Sequence, residues 1–406
     1  MSAVLPEVVR PRGGVLGAMT DEGLRLFFPL AAGYAVLTPA IWVLAFGFAL
    51  PFAHNVPVTQ WHAHELVFGV FGAALAGFLT SAIPEWTDTP RRAGRALLVL
   101  AALWLPGRCI GLFGIEALLP LALATDAAFL ALLLWFAVAP MIARRSTRHL
   151  SIAAWTAALL GAHLACGAGW LARDWALAGT ALYAALVAFA ILFALSLSRV
   201  NTVVVNLALD PTGASTPYRP HPGRQNLAAA MAALHLAATL AWPESRTAAW
   251  LALAAGAAFL DRQAEWFIGR PALRPELLAL GGGNALAGLA FLAIGAAELG
   301  APWPRQTGVH LLAVGGLGLA VLAIFGIAGL RHTGRALHFP WQARAALALL
   351  VIAVAVRVAP DLAGVADPSG LHHAAAALAW SAAFAVWLHG FLPILRDPST
   401  PSADHC

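Results

Sequence analysis

Apolar runs of about 20 residues recur from one end of this chain to the other, separated by short polar breaks. At 1.5 Å per residue each run is long enough, as a helix, to cross the ~30 Å hydrocarbon core of a bilayer. Twelve runs are expected, beginning near Leu24, Trp61, Ala96, Ala117, Leu150, Trp175, Gln225, Thr247, Glu276, Thr307, Gln342 and Leu371. The fold class that follows is all-α, a polytopic integral membrane protein with about 12 transmembrane helices. Hydrophobic residues make up 61% of the chain and charged ones 11%, and the mean hydropathy is +0.78, which leaves too little polar surface for a water-facing domain. The longest break, residues 209–224, carries four prolines and is too short for a folded extramembrane module. It reads as a cytoplasmic linker between two six-helix halves, 24–208 and 225–395, with a cytoplasmic N-terminal segment 1–23 and tail 396–406.

The formal charge of +5 comes without a single lysine, and the placement of the arginines explains it. Threading twelve spans from a cytoplasmic N-terminus leaves only Arg173, Arg246 and Arg305 in outside loops, with Arg108 and Arg357 inside spans. The rest, from Arg10 and Arg12 to Arg396, fall inside, as the positive-inside rule requires. The basic balance is therefore topological and excludes a nucleic-acid patch. Three cysteines, Cys109, Cys166 and Cys406, form neither a disulfide framework nor a covalent haem motif, so any haem would be held by coordination alone.

Polar side chains inside such runs are expensive, and here they converge in the outer half. Trp61-His62-Ala63-His64-Glu65 opens the second span; His163 lies near the outer end of the fifth; His310 opens the tenth; His372 and His373 open the twelfth. Arg108, Arg357 and His235 join the same layer, although His235 alone reads as a hydrogen-bonded core histidine. Neutral imidazole suits both haem iron and copper, and two histidines from facing helices can hold a b-type haem. His62 and His64 point about 200° apart on a regular helix, so they cannot both ligate one ion: either one serves a haem and the other a second site, or both are wet histidines beside an interfacial Trp61 anchor. Glu65 is placed to orient either imidazole. His163 and Cys166, three apart on one face, make a copper pair on one reading and ordinary core on the other. Arg108 and Arg357 either reach outward to the interface or pair with haem propionates. Asp126, near mid-membrane, is either paired or part of a proton path. No internal repeat is evident by eye.

Trp61-His62-Ala63-His64-Glu65 followed by Gly69 and Gly77-Phe78-Leu79-Thr80, then Pro84, Trp86, Trp104 to Arg108, Asp126, and His310 leading to Arg331-His332-Thr333-Gly334-Arg335, resemble the NnrS family. The resemblance covers most of the chain. It implies a haem- and copper-containing protein of the bacterial inner membrane, produced in response to nitric oxide and protecting against nitrosative stress. Two departures stand out: Ser198-Arg199-Val200-Asn201-Thr202 keeps only the Arg-Val of a family segment, and Leu280-Gly281-Gly282-Gly283-Asn284 lacks a histidine common there. The site expected on these grounds draws its haem and metal ligands from His62, His64, His163, His310, His372 and His373, its propionate partners from Arg108 and Arg357, and its proton-handling groups from Glu65 and Asp126. Expected partners are the lipid bilayer, nitric oxide and an electron donor, either a quinol or a periplasmic cytochrome. Three functional readings remain open: nitric oxide reduction, nitric oxide or metal binding without turnover, and histidine-dependent transport of a metal or proton.

Overall fold

The computed structural model describes residues 14–48, 56–365 and 370–400. Arg10, Arg12, Asn55 and Cys406 lie outside the described residues. Among the described residues, twelve helical rods follow a short helix at Gly14–Met19: α1 (Gly23–Phe48), α2 (Val58–Thr87), α3 (Arg95–Phe113), α4 (Leu119–Ala143), α5 (Leu150–Ala172), α6 (Trp175–Leu209), α7 (Pro222–Ala241), α8 (Thr247–Asp261), α9 (Pro275–Glu298), α10 (Arg305–Arg331), α11 (Trp341–Leu362) and α12 (Leu371–Leu395). Among the described residues there is no strand, and ten of these helices are long and apolar enough to cross a membrane. The chain is a polytopic all-α membrane protein. The expected spans at Gln225 and Thr247 exist as α7 and α8 but fall short of that standard. Arg224, Gln225 and Asn226 dilute the first turns of α7, and α8 has only 15 residues before a 3₁₀ segment, Arg262–Trp266, takes over. The two helices pack against each other and against α6 and α9.

Proline-rich segments between α6 and α7 do not leave the chain loose. Asp210 accepts hydrogen bonds from the backbone and hydroxyl groups of Thr212 and Ser215, which holds its carboxyl down to about 2. Asn206 bonds both the N–H and the carbonyl of Tyr218, tying the loop back to α6.

Both α2 and α10 widen into a π-helical stretch, Glu65–Phe71 in one and Leu311–Leu317 in the other. Every position of the second lies 246 residues beyond its counterpart, and each stretch begins directly after a histidine, His64 or His310. The match extends to both ends of the rods. Gln60 and Gln306, Gly69 and Gly315, Gly72 and Gly318 all stand in register. Thr87 and Thr333 turn their hydroxyls back onto carbonyls of the preceding turn, at 2.7 Å in each case, and Asp88 and Gly334 follow with positive φ. The neighbours repeat as well: α1, α3 and α4 pack around α2 by the same pairings as α9, α11 and α12 around α10. The chain therefore contains a parallel four-helix repeat, with α5 to α8 between the copies. Identical residues are few enough along the two stretches to hide it from inspection of the sequence.

Candidate metal centre

The first turns of α2 carry three of the expected site residues, and burial is nearly complete for Trp61, His64 and Glu65. The close approach of the neighbouring helices depends on glycines. A Cβ on Gly69 would meet Arg108 Nη1 and Tyr34 Cε1 at 2.6 Å, one on Gly107 would meet the Asp126 carboxylate at 2.7 to 2.9 Å, and one on Gly111 would meet Trp61 Nε1 at 2.9 Å. Small residues at these points let three helices bring charged groups together inside the bundle.

At the centre stands Arg108, buried on α3. Its guanidinium pairs with Glu65 Oε2 at 3.1 Å and makes a direct ion pair with Asp126 of α4. Tyr34 of α1 donates its hydroxyl to the same Glu65 oxygen. Trp104 donates its indole N–H to the Gly69 carbonyl within the π-helical stretch, 3.1 Å away. Arg108 is thus engaged by two carboxylates, and Asp126 by an arginine, so neither reaches for the interface. With all three ionised, the cluster keeps one negative charge in excess.

Glu65 turns its other oxygen, Oε1, to His64 Nδ1 at 2.9 Å. A carboxylate only accepts, so His64 carries its proton on Nδ1 and presents a lone pair at Nε2. From α5, His163 donates its Nε2–H to the Leu123 carbonyl at 3.1 Å and so presents a lone pair at Nδ1. Those two nitrogens face each other at 3.4 Å. The ligating atoms of His64, His163 and Asp126 all lie within 4.8 Å of one another, and all three side chains are buried. Two lone pairs and a carboxylate turned inward, beside an uncompensated negative charge, form a donor set for a cation. Cys166, one turn beyond His163, is buried in the apolar core and is not among these three ligating groups. A cavity lined by Trp61, His64, Glu65, Glu116, Asp126 and Trp170 leads to the cluster.

The remaining candidates gather elsewhere. His62, on the opposite face of α2 from His64, lies within electrostatic range of His310 and Arg357, and His310 within range of His373. His310 Nδ1 is 2.8 Å from the Gln306 carbonyl and 3.3 Å from Arg357 Nη2. Arg357 pairs with Asp361 at 3.2 Å, which also accepts from Thr307 at 2.8 Å, and the rings of His372 and His373 lie 3.9 Å apart, centroid to centroid, tilted by 42°. His235 is an internal hydrogen-bonding residue: its Nδ1 donates to Ala248 at 2.8 Å and its Nε2 accepts from Tyr183 at 2.6 Å. His332 lies at the far end of α10, bonded to Glu22 at 2.8 Å. Sequence reasoning missed Tyr34 and Thr307. One of only three tyrosines in the chain, set inside an apolar run, was the available signal for the first.

Taken together, the bundle is a polytopic membrane protein whose buried polar centre gathers His64, His163 and Asp126, groups that could hold a metal ion. The family model for the NnrS protein matches residues 18–399, nearly the whole chain, and the protein belongs to that family. No individual curated protein matches it.

Proposed function

We propose that this is a metal-dependent nitric oxide response protein of the bacterial inner membrane, defending against nitrosative stress by binding nitric oxide in the outer half of the bilayer. The observation that carries the reading is the pair of imidazole lone pairs meeting beside Asp126 in a site with one negative charge in excess. Such a site fits a single transition-metal ion, and copper accepts this mixture of nitrogen and oxygen donors. Opposite axial nitrogens of one iron stand about 4 Å apart at about 2 Å per bond, so a 3.4 Å separation suits two neighbouring ligands on a single ion better than the two faces of a haem. In this reading the haem that the family resemblance implies belongs instead with His62 and His310, near Arg357, which would exchange its pairing with Asp361 for a propionate. When bound, such a metal supplies a coordination position for nitric oxide.

This chain's own residues would do the rest. Glu65 holds His64 in the ligating tautomer, and Arg108 keeps Glu65 and Asp126 ionised. Reduction of two molecules of nitric oxide to nitrous oxide and water consumes two electrons and two protons. The electrons would come from a quinol or a periplasmic cytochrome, and Asp126 with Glu65 would pass the protons. Both chain ends are cytoplasmic in this reading.

Elemental analysis and an absorption spectrum of the purified protein test it. His64→Ala, His163→Ala and Asp126→Asn should each lose the non-haem metal. His62→Ala and His310→Ala should lose the Soret band or shift it from six-coordinate low spin. His332→Ala should change neither. Wild-type protein without metal or Soret absorption would refute the reading in favour of a transporter, and consumption of nitric oxide with a reductant separates enzyme from binder.

A further inference from the structure

At the end of the bundle away from His64 and His310, a cleft opens between α1, α2, α6 and α10. Its walls are apolar, with Phe28, Phe78, Val200, Val204, Ile324 and Ile327 among them. Its rim is not. Arg199, Arg331, His332, Trp86 and Glu85 surround the mouth. Arg199 places its guanidinium carbon over the Trp86 ring, 4.6 Å from its centroid, and is steadied by His149 Nδ1 at 3.0 Å. Arg331 buries its Nε, which has no hydrogen-bond partner among the described residues. His332 is taken up by the buried Glu22.

We infer that this cleft is a binding site for one anionic phospholipid, its phosphate held between Arg199 and Arg331 and an acyl chain laid against the α6 and α10 walls. Two planar guanidinium forks match the oxygens of a phosphate, and the apolar walls match hydrocarbon; a water-soluble phosphoester would satisfy only the first. Basic pockets between helices at the cytoplasmic side recognise anionic head groups in this way. A quinone head is neutral and would leave the guanidinium groups uncompensated. It would also sit about 33 Å from the histidine end, the rise of the 22 residues from His310 to His332 along α10.

Native mass spectrometry of the full-length protein, exchanged into mixed phosphatidylglycerol and phosphatidylcholine micelles, tests the inference. One phosphatidylglycerol per chain should survive activation. Arg331→Gln and Arg199→Gln should each weaken its retention about tenfold, the worth of one charged contact at about 1.4 kcal/mol, while Arg344→Gln, outside the cleft, should not. Val203→Trp fills the cleft beside the arginines and should expel the lipid with both charges in place, which keeps the test valid should an arginine variant fail to fold. Displacement by millimolar inorganic phosphate would mean that a free oxyanion is the ligand and would overturn the lipid assignment. So would equal retention of phosphatidylcholine, or undiminished binding in all three variants.

Discussion

Removing Arg108 would leave two carboxylates facing each other in the interior. The side chains of Glu65 and Asp126 are 3% and 5% exposed, so water cannot take over the role of the guanidinium. Breaking a buried ion pair by deleting one partner costs about 3–5 kcal/mol, because the surviving charge keeps its desolvation penalty and loses its compensation. Arg108→Gln preserves most of the side-chain volume and some hydrogen-bonding capacity, yet it should still destabilise the protein by about that amount. In equilibrium terms this is roughly two to three and a half powers of ten in the unfolding constant. Reversible unfolding in mixed micelles of increasing dodecyl sulfate content would measure it. The triple variant Glu65→Gln/Arg108→Gln/Asp126→Asn, which removes all three charges, should recover most of the loss, since replacing a whole buried ion cluster by neutral groups is close to neutral. A loss below about 1 kcal/mol for Arg108→Gln, the range of exposed pairs, would refute the claim that these charges are buried and interdependent. Failure of the triple variant to recover would assign the cost to lost packing against Tyr34 and Trp104, whose rings lie 5.7 and 5.9 Å from the guanidinium carbon.

Two further outcomes can be checked directly. In a cysteine-free background, a cysteine at Ser215 should label only from the cytoplasm and one at Asn55, which lies outside the described residues, only from the periplasm. The reverse pattern would invert the topology. Glu22, just ahead of α1, gives a pH dependence: burial pushes its carboxyl up, but His332, Arg91 and Arg25 together hold it below the ordinary carboxylate value. A depressed folded-state pKa contributes stability that is present above the unfolded value, about 4.3 for a glutamate, and is lost as pH falls through the folded one. The melting temperature should therefore decline more steeply on acidification below that range in the wild type than in Glu22→Gln, and identical profiles would remove Glu22 from the account.

Much of the architecture was written in hydropathy. The ten long apolar helices begin within a few residues of the expected positions because a 20-residue apolar run has only one way to satisfy its backbone in lipid. The divergence of His62 and His64 followed from helical geometry alone, and the two side chains do face different clusters. Arg108 and Asp126 announced themselves as polar groups at membrane depth. Their pairing with each other and with Glu65 did not, because contacts between spans obey no sequence spacing. The same limit hid the meeting of His64 with His163, which are 99 residues apart. The repeat was legible in principle: His64 with Gly69 and Gly72, and His310 with Gly315 and Gly318, share one spacing, which only the wide turns made conspicuous.

Those wide turns decouple the two ends of one rod. In an α-helix each residue advances the azimuth by about 100°, so any constraint that fixes the inner face of α2 also fixes the direction of its outer face. A π-helical stretch takes up an additional residue and breaks that phase relation. Below it, Gly77 remains free to seat against Phe28, where a Cβ would come within 2.7 Å of the ring, and Thr80 and Ser81 to meet the start of α1. At its outer end, His64 is aimed by its contacts with Glu65 and His163. Packing demands and ligand-aiming demands thus fall on different turns of one continuous helix, and substitutions that re-seat the lower turns need not misalign the imidazole.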